Sequence, residues 1–354
     1  MRQTSIVPSA EFCRRIPKVE LHVHLEGSIR PETVLKLAKK NALSLPADDV
    51  AGLQEWYRFR DFPHFVDVYV AVSKCLRTAD DLELVAREFL EGQAQQNVLH
   101  TEVTYTASTI EKYAGIPWPQ QHAALLRAIR YGEAELGVSL GIIIDIVRGD
   151  PPKRALEVAH WATESEGVVA LGLAGEERFG CAQYAPAFEL ARERGLPIVP
   201  HAGETMGPQS ILDVLRHTRP LRIGHGVRCL ENRALTAELF RRAIPLEVCP
   251  TSNVALGVFP DLESHPLPKL MDEGLVVTIN SDDPPMFGTT LAEEFKRCAD
   301  AFALDEHMLW SLSLNALNAS ILHDVQRKEL LKRMREDYGR IVGEIGPPVA
   351  TSIP

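Results

Sequence analysis

Apolar and polar positions along this chain follow two rhythms. Eight short runs rich in β-branched residues read as strands: "KVELHVHL" (18 to 25), "VLHTEVTYT" (98 to 106), "SLGIIIDIV" (139 to 147), "VVALGLAGE" (168 to 176), "LPIVPHAGE" (196 to 204), "LRIGHG" (221 to 226), "PLEVCPTSN" (245 to 253) and "VVTINSDD" (276 to 283). Between them, stretches such as "PPKRALEVAHWATESEG" and "APAFELARERG" repeat apolar residues at three and four and close on glycine, as helices do before a strand. Strand alternating with helix predicts a parallel sheet. The later runs start at 168, 196, 221, 245 and 276, about one βα unit apart, and eight such units close a (β/α)8 TIM barrel of the α/β class.

The first interval, from 18 to 98, is too long for one unit. It predicts extra helices, inserted over about 45 to 97, with "FRDFPHFVDVYVAVSKCL" and "DDLELVAREFLEGQAQQN" as two of them, capping one end of the barrel. The segment from 288 to about 345 reads as further helix, and "GPPVATSIP", ending at 354, as a loose tail. No linker rich in glycine, serine or proline interrupts the chain, so residues 1–345 read as one domain and 346–354 as a flexible end.

Composition narrows the partners. Of 354 residues, 48 are acidic and 38 basic, and the net charge of -10 argues against nucleic acid or an anionic membrane. A small molecule is the expected partner, and the sequence carries no readable sign of an oligomer interface. Six scattered cysteines without a C-x-x-C pair read as reduced thiols. The N-terminus lacks the apolar core of a signal peptide, and no run approaches the ~18 apolar residues of a membrane span. A cytoplasmic location is expected.

Against this background the polar residues inside apolar runs stand out. Residues two apart on a strand face the same way, so His22 and His24 point together. A lone histidine there would read as a hydrogen-bonded core residue. Here, however, His201 and Glu204 close the fifth run, His225 the sixth, and Asp282 with Asp283 the eighth. All fall at carboxyl ends of barrel strands, where this fold builds its active sites. Three imidazoles and one carboxylate, His22, His24, His201 and Asp282, suit zinc, one ion per chain, with a position left open for water. Zinc lowers the pKa of that water to about 7. Glu204 can then shuttle a proton, and His225 can orient or deprotonate the attacking water.

Taken in order, "KVELHVHLEGSIRPETVLKLAKK", "LAGEE", "PHAGE", "RIGHG", "EVCPTSN" and "TINSDDPPMFGT" resemble the adenosine deaminase family from about residue 14 to 345. The resemblance implies a mononuclear zinc barrel that hydrolyses the 6-amino group of a purine and releases ammonia. It implies that Glu204 protonates purine N1, that His225 assists the zinc hydroxide, that Asp283 contacts N7, and that the backbone of Gly175 reaches N3. His24 would border the substrate as well as the metal. In the best-known adenosine deaminases the residue after "HVHL" is an aspartate near the ribose. Here it is Glu26, as in relatives acting on adenine or modified nucleosides.

The purine nucleosides adenosine and 2'-deoxyadenosine are the substrates the motif order favours. The alternatives are 6-aminodeoxyfutalosine, suggested by Glu26 and "EVTYTAST" with Arg58 or Arg60 to meet its carboxylate, and then adenine. Cytosine-type zinc deaminases carry H-x-E with P-C-x-x-C, which this chain lacks. A two-metal amidohydrolase would carry a lysine at the end of the fourth strand, and "VVALGLAGEE" has none. A barrel that only binds ligand normally loses a catalytic group, whereas Glu204 and His225 both remain. Cys249 and the remaining histidines, His265 among them, read as structural, and Phe62, Phe65 and Tyr69 as core of the cap.

Overall fold

The structure is a computed structural model that describes residues 7–345. The tail expected at 346–354 lies outside the described residues. All eight expected strands form: β1 (Lys18–His24), β2 (Val98–Tyr105), β3 (Ser139–Val147), β4 (Val168–Ala174), β5 (Ile198–Ala202), β6 (Ile223–His225), β7 (Leu246–Val248) and β8 (Val277–Ile279). They pair in sequence order, every pair parallel. Helices follow the strands, and the result is a (β/α)8 barrel with a core of Val, Ile, Leu and Ala between strands and helices.

The barrel closes at its functional end. β1 and β8 share an isolated bridge, Val23 to Asp282, in which the His24 N–H donates to the Asp282 carbonyl at 2.8 Å and the Asp282 N–H to the His22 carbonyl at 3.1 Å. The last strands are shorter than the apolar runs suggested, three residues each for β6, β7 and β8. His225 (φ 59°) and Asp282 (φ 65°) adopt the left-handed backbone that side chains rarely take, which ends β6 and turns the chain after β8 just where the polar groups must converge.

The long first interval holds helices at Pro31–Lys40, Val50–Trp56, Phe62–Ser73 and Ala79–Gln95. Asp61 caps Phe62–Ser73 by accepting from the His64 N–H at 2.8 Å, and Thr78 with Asp81 forms a capping box on Ala79–Gln95. Helices Leu291–Phe302, Glu306–Ala319 and Asp324–Ile345 fill the C-terminal segment. All six cysteines are free and buried, and no helix among the described residues is long and apolar enough to cross a membrane.

Candidate active site

The polar residues singled out in the sequence meet at the carboxyl ends of the strands. Nε2 of His24 lies 3.1 Å from Nε2 of His201. Oδ1 of Asp282 lies 3.3 Å from Nε2 of His24 and 3.5 Å from Nε2 of His22. The His22 and His201 rings stand 4.5 Å apart. The groupings His22/His201/His225 and His24/Asp282/Asp283 each bring their donor atoms within 4.8 Å of one another, the spread a metal ion spans.

The far ring nitrogens are committed elsewhere. Nδ1 of His22 lies 3.0 Å from Oε2 of Glu247, and Nδ1 of His201 is 3.0 Å from the Leu173 carbonyl. A proton on each Nδ1 leaves the lone pair on Nε2, which faces Asp282 at His22 and Nε2 of His24 at His201. Nε2 of His22 has no hydrogen-bond partner although it is buried. Ser252 Oγ donates to Oδ2 of Asp282 at 2.6 Å and fixes that carboxylate. Burial disfavours charge on His22 and His24, yet the carboxylates around them hold their pKa values up at about 10 and about 9. Lone pairs converging beside a carboxylate, in a spot that favours positive charge, fit a cation with nitrogen and oxygen ligands.

Two further carboxyls and an imidazole flank this centre. Burial, reinforced by Asp282 and Glu177, raises the Glu204 carboxyl well above the usual carboxylate range. Burial and neighbouring Asp282 do the same to Asp283. Asp282 is also buried, but hydrogen bonds from His22 and His24 hold it far below that range. Adjacent carboxylates are thereby driven apart, Asp282 toward the ionised form and Asp283 toward the protonated one. Asp283 fits only because residue 27 is glycine: a Cβ there would stand 1.6 Å from its Oδ1. Nε2 of His225 lies 3.7 Å from Glu204 and 3.9 Å from Asp282. Gly175, at φ 89°, follows β4 on the cavity wall, where its backbone can approach a ligand closely.

A cavity of about 120 Å³ opens over these groups. Its outer wall is apolar, built from Phe62, Phe65, Val66 and Val70 of the helix Phe62–Ser73 with Val147 and Leu256. Among the described residues, no lysine or arginine lines it. Two expectations change here. Phe62, Phe65 and Tyr69 pack on the core and also line the cavity, so this helix meets both. Glu26 does not line the cavity: Oε1 accepts from the Thr106 N–H at 2.9 Å and Oε2 from the Tyr69 hydroxyl at 3.0 Å, so the cap helix uses it as an anchor. Arg58 pairs with Glu55 at the surface, and neither it nor Arg60 lines the cavity.

The adenosine deaminase family profile matches residues 17–337. This chain belongs to the adenosine deaminase family. An aminodeoxyfutalosine deaminase from Streptomyces coelicolor is 41% identical to this deaminase over 317 residues, 88% of this chain and 81% of the relative. A crystallised adenine deaminase from Arthrobacter aurescens is 31% identical, with a TM-score of 0.86 over 90% of this chain and 98% of that one. An amidohydrolase from Burkhoderia ambifaria, crystallised with bound Zn, is 25% identical, with a TM-score of 0.87 over 97% of this chain and 96% of that one. These names match the alternative substrates weighed from the sequence better than adenosine.

Several residues of the deaminase site carried no assignment from the sequence. Glu177 accepts three backbone N–H groups from the loop that carries Glu204: Gly203 at 3.0 Å, Glu204 at 2.8 Å and Thr205 at 3.2 Å. Glu247 grips His22, and Arg222, wholly buried, grips Glu247 and Glu102 at 2.5 and 2.6 Å. His265, read as structural, belongs to the hydrogen-bonded surroundings of His225 through Asn253. A charged residue inside an apolar run, the signal that exposed His22, is also present at Glu247 and Arg222.

Proposed function

We propose that this deaminase hydrolyses the 6-amino group of a purine that carries a bulky, largely apolar N9 substituent, with 6-aminodeoxyfutalosine as its substrate. The observation that carries the choice is the apolar cavity wall, on which no described residue is a lysine or arginine. A free base would reach Gly175, Glu204 and Asp283 and leave Phe62, Val66 and Leu256 facing water, an unfavourable exposure. A benzoate ring on the 5' carbon would cover them, with its carboxylate projecting to solvent. A 5'-phosphate would find no countercharge there. Adenosine, the first expectation from the motif order, covers less of this wall. Adenine is the second reading, favoured by the small cavity, about 120 Å³ against ~300–1,000 Å³ for most ligand pockets. On that reading the cap stays closed over the base.

In this proposal His22, His24, His201 and Asp282 hold one zinc, which when bound supplies a Lewis acid that makes hydroxide available near neutral pH. Protonated Glu204 donates to N1 and turns C6 electrophilic. Protonated Asp283 donates a hydrogen bond to N7, so the ring nitrogen need carry no proton of its own. The Gly175 backbone supports N3, and His225 faces the attacking oxygen. Glu26 and Tyr69 hold the cap down and exclude water. Free buried thiols and the acidic balance support a cytoplasmic location.

The test is kcat/KM for 6-aminodeoxyfutalosine, adenine, adenosine, 2'-deoxyadenosine and adenosine 5'-phosphate on zinc-loaded protein. The first should lead adenosine by at least ~10-fold, equivalent to about 1.4 kcal/mol in transition-state binding. Adenine leading instead selects the second reading, and no ammonia from any of them overturns the assignment.

A further inference from the structure

Behind His225 a chain of buried groups ends on a backbone amide. The Leu267 N–H donates to Nδ1 of His265 at 3.2 Å. Nε2 of His265 lies 3.2 Å from Oδ1 of Asn253, and Nδ2 of Asn253 lies 3.2 Å from Nδ1 of His225. Asn253 and His265 are 0% and 3% exposed, and neither borders the cavity. Phe259 and Phe302 pack against the His265 ring, with centroids 5.0 and 6.2 Å away. The backbone of Asn253 is pinned as well: its N–H donates to the Cys249 carbonyl at 3.0 Å, and its carbonyl accepts from Val258 and Phe259 at 2.8 and 3.2 Å.

Each link admits one direction. A peptide N–H can only donate, so Nδ1 of His265 carries no proton. Burial depresses that imidazole to about 3, so it is neutral and its single proton sits on Nε2. The acceptor for this proton is Oδ1 of Asn253, which turns the amide NH2 toward His225. Nδ1 of His225 must then accept, and the proton of the neutral ring falls on Nε2, the atom that faces Glu204 and Asp282. Flipping Asn253 would set its NH2 against the Nε2–H of His265, and that bond would be lost in a dry core, where unpaired polar groups are most costly.

We propose that the relay from Leu267 through His265 and Asn253 locks His225 in its Nε2–H tautomer. Asn253 and His265 are then positioning residues, and His225 presents a hydrogen-bond donor to the attacking oxygen, with no lone pair at Nε2 to act as a base. Of the two roles open to His225 from the sequence, orienting or deprotonating the water, the relay selects the first. The inference rests on the family's deaminase chemistry and on no particular N9 substituent.

The test is the 15N spectrum of ring-labelled histidine in zinc-loaded, substrate-free protein, with His225 assigned by its loss in His225→Asn. The wild type should show a bare Nδ1 and a protonated Nε2 at His225. Asn253→Asp offers His225 only acceptor oxygens, so the proton should move to Nδ1. Its kcat should fall by about 100-fold, since a wrong tautomer costs orders of magnitude in rate, while KM and zinc content stay within about twofold. His265→Leu should give mixed tautomers and a smaller loss of kcat. A wild-type His225 protonated on Nδ1 overturns the relay, and the wild-type spectrum decides this even if neither variant folds. Unchanged kcat in an Asn253→Asp protein whose proton has moved overturns the donor role. Because the spectrum needs no substrate, it can fail or succeed independently of the proposed N9 substituent.

Discussion

Oε1 of Glu177 accepts the backbone N–H of Glu204 at 2.8 Å, so one carboxylate holds the peptide of another. The same side chain also binds the amides of Gly203 and Thr205. Glu177 thus fixes the loop carrying the proposed proton donor, and its charge helps keep that donor protonated. Glu177→Gln retains one acceptor oxygen and turns an NH2 toward N–H donors. We expect kcat to fall about tenfold or more and stability to drop by about 2 kcal/mol, the scale of an unsatisfied buried donor, with zinc content unchanged. Denaturant unfolding, steady-state rates and metal analysis check this, and wild-type kcat would refute it.

Glu204→Gln removes the transferable proton while keeping shape. The expected loss is ~10² to 10⁴-fold in kcat with fold and metal intact. The pH profile adds a sign. Glu204 has a raised pKa, and in its proposed role as an acid activity should be present below that pKa and decline as pH rises through it. The alkaline limb should vanish in Glu204→Gln. A loss of only a few fold, or an unchanged limb, would assign the proton to another group.

Asp282 and Asp283 are neighbours with different work. Asp282→Ala and His24→Ala each remove a proposed ligand and should strip bound zinc along with turnover. Asp283→Ala should lower turnover and leave zinc near one per chain. Metal analysis on the three purified variants separates these outcomes, and equal metal loss in Asp282→Ala and Asp283→Ala would refute the division of roles.

The buried Arg222–Glu102 pair makes stability depend on acid. Burial would raise the Glu102 carboxyl, but Arg222, His100 and the Ile321 N–H hold it down to about 2. A carboxyl with a depressed folded pKa contributes stability above its unfolded value, about 4.3, and loses it as pH falls toward 2. Denaturant unfolding of the wild type should therefore weaken steeply below about pH 4.3. Glu102→Gln should cost about 3–5 kcal/mol at neutral pH, because Arg222 loses a buried partner, and should flatten the acid slope. An equally steep slope in the variant would place the acid sensitivity elsewhere.

The local rhythm of the chain determined the barrel. Short apolar, β-branched runs and glycine-ended helices placed all eight strands, and the interruptions of those runs by His22, His24, His201, His225 and Asp282 marked the carboxyl-end site. These signals are readable because strand alternation and the cost of burying a polar group act within a few residues. The strand ends were less legible: β7 and β8 pair only from Leu246 to Val248 and Val277 to Ile279, and Asp282 beyond them bridges to Val23 of β1. Tertiary structure alone decided which distant groups orient the site. Glu247 reaches His22 across 225 positions, and Asn253 reaches His225 across 28. No periodicity encodes such contacts, because they exist only once the closed barrel and its packed loops bring those positions together. The same packing turned Glu26 away from the cavity and onto Tyr69 and Thr106, for a buried carboxylate takes the donors that the folded chain sets beside it.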